Sequence, residues 1–218
     1  MSWANSTPPA ASGVGKACLI LGGIMLLIQI YVSRLDVYDE AMFFRHFALS
    51  PGNVVSALAG NSPLGPALWP FVTSLFLHGD WLHLVNNLLF LAIFGTLVER
   101  HLGARWLVIL FFVCGFAGAV LQVLLPFDFG PPTELVVGAS GGLFGLMGVA
   151  LTCGAPAMRP GSPQRRLLIA LIVMNAVIGL VAFSGLMGSL LLIGWQSHLG
   201  GFLAGLLLGR MLTPSRGK

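Results

Sequence analysis

From Leu167 to Leu212 the chain is almost uninterrupted hydrocarbon. At about 1.5 Å of helical rise per residue that is too long for one bilayer crossing of roughly 20 residues, and it matches two. Four further apolar runs precede it, at Ala17 to Ser33, Trp81 to Leu97, Trp106 to Phe127 and Ala139 to Ala157. Only 8% of residues are charged, against about 25% in a soluble domain, so the chain lacks the polar surface to cover itself in water. The expected fold is all-α: a six-transmembrane-helix bundle with a long outer loop between the first and second spans. Ser184, Gly185 and Gly188 mark the expected turn between the fifth and sixth spans. Residues 1–16 read as a flexible cytoplasmic tail, 17–212 as the membrane domain and 213–218 as a second cytoplasmic tail. The run after Lys16 has no Ala-x-Ala cleavage signal and reads as a retained anchor.

The basic residues orient the bundle. Nine of the eleven Lys and Arg residues flank alternate ends of the spans: Lys16, Arg100, Arg105, Arg159, Arg165, Arg166, Arg210, Arg216 and Lys218. Opposite them are Arg34 and Arg45 with six of the seven acids, Asp36, Asp39, Glu40, Asp80, Asp128 and Glu134. The positive-inside rule then puts both termini in the cytoplasm and the acidic loops outside. The segment from Arg34 to Asp80 is too long for a plain connector, and its apolar pieces suit short helices lying at the outer interface.

Composition also excludes several classes. The net charge of +4 comes from scattered residues that form no patch, so no nucleic acid partner is expected. Cys18, Cys114 and Cys153 fall in or near apolar runs and act as small hydrophobes, with neither disulfide nor metal spacing. No metal and no cofactor is expected.

What remains are a few polar residues at one depth. His83 and Asn87 sit one turn apart on one face near the outer end of the second span. Ser140 begins the fourth span and His198 lies two to three turns into the sixth. On the sixth span Gly194, His198, Gly201, Gly205 and Gly209 recur at intervals of three or four, and the fourth offers Gly141, Gly145 and Gly148. Such stripes let helices approach closely, which would bring Ser140 and His198 to adjacent surfaces. Taken singly, a membrane serine usually bonds a carbonyl one turn earlier, and a lone histidine usually makes an interhelical bond. Polar groups in hydrocarbon are nevertheless expensive and mark function. A serine with one adjacent base is an activated nucleophile, and no Asp or Glu occupies the last three spans, so the pair reads as a dyad. The Ser140 N–H, the Asn87 amide and the His83 imidazole suit an oxyanion site.

These residues resemble the rhomboid intramembrane serine proteases. The resemblance rests on Gly138-Ala139-Ser140-Gly141, on His83-x-x-x-Asn87 preceded by His78, on Glu99-Arg100-His101-Leu102-Gly103 and on His198-x-x-Gly201, in the family's order from about Leu68 to Gly209. It implies Ser140 as nucleophile, His198 as general base, and His83 with Asn87 as oxyanion stabilisers. Gly138, Gly141, Phe144 and Gly201 would pack around the dyad. It also implies a cavity open to the outer face and substrates that are single-span membrane proteins cut near that face. A regular helix hides its carbonyls in hydrogen bonds, so the scissile bond must first unwind.

The chain departs from many family members at Trp69-Pro70, where they carry Trp-Arg, and at Phe144, where they carry tyrosine. Two other readings stand beside the protease: an inactive rhomboid-like protein that binds membrane clients, and a small transporter. The first typically lacks the serine or histidine, both present here; the second has no buried acid and no evident inverted repeat. The expected location is a bacterial inner membrane, with the lipid bilayer and the substrate as partners and the oligomeric state open.

Overall fold

The computed structural model describes residues 13–125, 135–183 and 194–212, and there it is all-helical. Helix α1 (Lys16–Val32) is followed by four short helices in the segment before Asp80. These are α2 (Val37–Phe47), α3 (Pro51–Leu58), α4 (Leu64–Leu68) and α5 (Pro70–Thr73), the last continuing into a 3-10 turn over Ser74–Phe76. Their starts follow local chemistry. The Asp36 carboxylate accepts from the Asp39 N–H at 2.8 Å, and the Ser50 hydroxyl accepts from Asn53 at 3.3 Å. Each thereby satisfies an orphan donor of a first helical turn. On α2, Val37, Tyr38 and Met42 remain exposed.

The second apolar run forms one rod, Trp81–Leu102, built from α6 (Trp81–Phe90), a π-helical stretch over Leu91–Gly95 and α7 (Thr96–Leu102). Gly103, at φ 92°, ends it in a left-handed conformation that costs glycine little. Helix α8 (Ala104–Leu124) starts at the next residue. These two rods are long and apolar enough to cross a membrane by themselves. Helix α9 spans Ser140–Thr152, α10 Pro163–Phe183 and α11 Trp195–Leu212. The fourth run, expected to stay helical to Ala157, stops at Thr152 because the chain turns at Gly154, where φ is +78°. The expected turn at Ser184, Gly185 and Gly188 lies outside the described residues, as do Phe127, Asp128, Glu134, Arg216 and Lys218.

Helix α9 is the axis of the bundle. Every residue from Gly141 to Ala150 is buried, as expected of a helix that is apolar all round, and α8 and α11 pack along it. In lipid there is little hydrophobic drive between helices, so close approach and dispersion carry the association. The glycines supply that approach. A Cβ at Gly201 would overlap the Gly141 carbonyl, one at Gly205 the Gly145 carbonyl, and one at Gly148 would stand 2.5 Å from the Phe202 carbonyl oxygen.

Glu99, the one acid on the basic side of the chain, caps α1 from another helix. Its carboxylate accepts from the Ala17 and Cys18 N–H groups at 3.1 Å each, and Thr96 Oγ1 accepts from Gly15 at 3.2 Å. Two residues along, His101 Nε2 pairs with the Cys153 carbonyl at 2.8 Å. The Glu-Arg-His segment therefore joins α7 to the start of α1 and the end of α9.

Candidate active site

Ser140 is the first residue of α9, so its N–H and those of Gly141 and Gly142 have no acceptor within the helix, whereas the Leu143 N–H already reaches the Ala139 carbonyl at 3.0 Å. Three contacts hold the segment leading to it. Leu49 and Val136 exchange N–H to carbonyl bonds of 3.0 and 2.7 Å, and the Gly138 N–H donates to the Ser74 carbonyl at 2.9 Å. The segment between α1 and Asp80 thus sets where α9 begins.

His198 is the fourth residue of α11, one turn in where two to three were expected, and its Nε2 lies 2.7 Å from Ser140 Oγ, a strong hydrogen-bond distance. The Phe144 ring, one turn after Ser140, stacks on the imidazole with centroids 4.4 Å apart and planes 7° apart. It fixes the ring plane in which Nε2 faces the serine, with no hydroxyl needed.

Asn87 and His83 approach from α6. Asn87 is buried, its Nδ2 donates to the His83 carbonyl at 2.8 Å, and its Oδ1 has no partner among the described residues. The second Nδ2 hydrogen is available to an anion. Asp80 caps α6 by accepting from the His83 N–H at 2.7 Å, which orients the turn that carries the imidazole. The His78 ring meets the His83 ring edge-on at 5.1 Å. His78 precedes the span, and burial, with the neighbouring His83 second, pushes its pKa down to about 4.

Gly138 is constrained twice. Its φ is +120°, and a Cβ there would stand 2.8 Å from both Cε1 and Nε2 of His83. Gly138→Ala is therefore expected to combine about 1–3 kcal/mol of backbone strain with displacement of the His83 ring. It should lower the reactivity of Ser140 more than it lowers the melting temperature; fluorophosphonate labelling beside thermal unfolding checks this.

A cavity of about 680 Å³ holds Ser140, His198, His83 and Asn87. It is also lined by Leu82, Asn86 and Phe90 of α6 and by Leu171 and Met174 of α10. Among the described residues no three His, Cys, Asp or Glu side chains gather to hold a metal ion. The structure thus brings together Ser140, His198, His83, Asn87, Gly138, Gly141 and Phe144, with Gly201 against the Gly141 carbonyl. Sequence reasoning missed Ser74, whose backbone carbonyl leaves no signal, and Asp80, whose carboxylate caps α6 and was readable as an Asp just before an apolar run.

Comparison with known proteins yields one consistent result. A rhomboid domain model matches residues 65–215. Rhomboid-like protein 11, chloroplastic, of Arabidopsis thaliana is 36% identical over 161 residues, 68% of this chain and 54% of that protein. Rhomboid-like protease 3 of Toxoplasma gondii is 33% identical over 143 residues, 65% of this chain and 50% of that protein. The matched region spans about half the length of these relatives.

Proposed function

The chain belongs to the rhomboid family of integral membrane proteins, and from that premise we propose that it is an intramembrane serine endopeptidase that cuts single-span membrane proteins near the outer face. The observation that carries the reading is the 2.7 Å contact between Ser140 Oγ and His198 Nε2 inside a cavity that also holds His83 and Asn87.

Six spans compose the membrane domain, residues 17–212: α1, the α6–α7 rod, α8, α9, α10 and α11. The chain enters α1 and leaves α11 on the cytoplasmic side. The 13 residues of α9 reach about 20 Å, against roughly 30 Å of hydrocarbon. With its Thr152 end at the basic side, Ser140 lies below the outer surface, where a cavity must bring water to it. The membrane is a bacterial inner membrane.

The chemistry follows from the atoms present. Neutral His198, with its proton on Nδ1, accepts the Ser140 hydroxyl proton at Nε2 while Oγ attacks the scissile carbonyl. The resulting oxyanion is met by the Ser140 N–H, the Asn87 amide and the His83 imidazole. His198 then passes its proton to the leaving amine, and water hydrolyses the acyl-enzyme by the same route in reverse. The α9, α10 and α11 sequences carry no Asp or Glu, so the pair works as a dyad with no carboxylate drawn from those helices.

In proteoliposomes with a panel of single-span proteins, the wild-type protein is expected to cut at least one within the outer half of its span. A folded protein that leaves every member intact contradicts the reading. The base must be neutral before it can take a proton, so the rate should rise with pH and level off once the imidazole has deprotonated. A rate that falls as pH rises from about 5 to 8 would argue against His198 as the base.

A further inference from the structure

Gln122 is a buried glutamine near the end of α8, on a face of the bundle where a polar side chain is costly. Its Oε1 accepts two hydrogen bonds, and both come from Ser197, from the backbone N–H at 3.3 Å and from Oγ at 3.1 Å. Ser197 is the third residue of α11, so its N–H is one of the first-turn donors that the helix cannot satisfy itself. The bond is a helix cap delivered from another helix. The exchange is mutual, because Gln196 Nε2 donates at 3.3 Å to the carbonyl of Leu125, the C-cap residue of α8.

The remaining polar atom of Ser197 is equally constrained. A Cβ at Gly118 would stand 2.5 Å from the Ser197 carbonyl oxygen, and one at Gly141 would stand 3.3 Å from it. Ser197 is thus fixed at its N–H, its hydroxyl and its carbonyl by α8 and α9. The next residue in the chain is His198.

We infer that Gln122 is a positioning residue for the dyad: by capping α11 at Ser197 it sets the depth and rotation of that helix, and so the reach from His198 Nε2 to Ser140 Oγ. This rests on the protease reading above. An interhelical bond serving only stability would lower the melting temperature in proportion to any loss of rate and would act at any position along α8 and α11. A bond to the residue beside the base acts on the chemical step.

The test uses the purified full-length protein with wild-type, Ser140→Ala, Gln122→Met and Gln122→Asn forms. Methionine keeps the shape and removes the acceptor; asparagine keeps the amide but withdraws it by one methylene. Both variants are expected to lower kcat and the rate of fluorophosphonate labelling by roughly 10- to 100-fold, the scale of a displacement near 1 Å, with KM unchanged. Ser197→Ala, which loses only the hydroxyl bond, should lose less, and adding it to Gln122→Asn should cost nothing more. Should Gln122→Met fail to fold, Gln122→Asn and the double variant carry the result. Wild-type labelling with an equal rate in Gln122→Asn overturns the positioning role alone. Wild-type protein that neither labels nor cleaves overturns the protease reading and this inference with it.

Discussion

Ser140→Ala is expected to remove peptide-bond cleavage by about 10⁴-fold or more while leaving the fold intact. Among the described residues, the Ser140 hydroxyl is the one with an imidazole nitrogen 2.7 Å away. Alanine at the first position of α9 loses one hydrogen bond, a net change of about 1 kcal/mol, so the melting temperature should move little. The loss belongs to kcat, since the cavity that receives substrate is otherwise unchanged. Cleavage assays beside thermal unfolding in the same detergent separate the two effects. Undiminished cleavage by Ser140→Ala, or cleavage lost only in step with unfolding, would place the chemistry elsewhere.

Gly201→Ala should produce the second large effect, through packing. The added methyl would overlap the Gly141 carbonyl, which is rigid helix backbone that no rotamer change can move aside. Separating α9 from α11 costs on the order of 1–3 kcal/mol by the measure of overpacked cores, a large part of a marginal total. The separation occurs directly between the helices that carry Ser140 and His198. A misplacement near 1 Å costs roughly 100-fold in rate. The expected outcome is a lowered melting temperature together with a greater loss of kcat. Leu203→Ala, at an exposed position of the same helix, should show neither. Equal behaviour of the two variants would mean that the close approach does not matter.

Much of the fold was legible because hydrocarbon length has few solutions. The runs beginning at Ala17, Trp81 and Trp106 correspond to helices starting at Lys16, Trp81 and Ala104, since a bilayer-length apolar stretch must close its own backbone hydrogen bonds. The glycine spacing on α9 and α11 was readable for a related reason: a helix places every third or fourth residue on one face, and the Gly201 and Gly205 contacts occur along that face.

Other features leave no such trace. The end of α9 at Thr152 depends on Gly154 adopting a positive φ; its one local signal is Pro156 two residues later, a helix stop that the apolar run masked. The π-helical stretch at Leu91–Gly95 lies in an unremarkable apolar run. Glu99 was visible as part of a motif, but its carboxylate reaches Ala17 and Cys18 across the whole outer loop and the second span. Gln122 is a single amide in an oily helix, and only its two bonds to Ser197 separate it from ordinary interhelical contact. The candidate site could be read because its residues recur in a recognisable pattern, whereas the groups that hold those residues in place are bonded through backbone atoms.

The most direct test of the central claim is to treat the folded protein with a fluorophosphonate and map the adduct by mass spectrometry. Phosphonylation needs a hydroxyl with an adjacent base, and Ser140 is the hydroxyl that His198 touches. The expected result is one adduct, on Ser140, absent from Ser140→Ala and strongly reduced in His198→Ala. An adduct on another residue, or labelling that survives in His198→Ala at the wild-type rate, would contradict the Ser140–His198 pair as nucleophile and base.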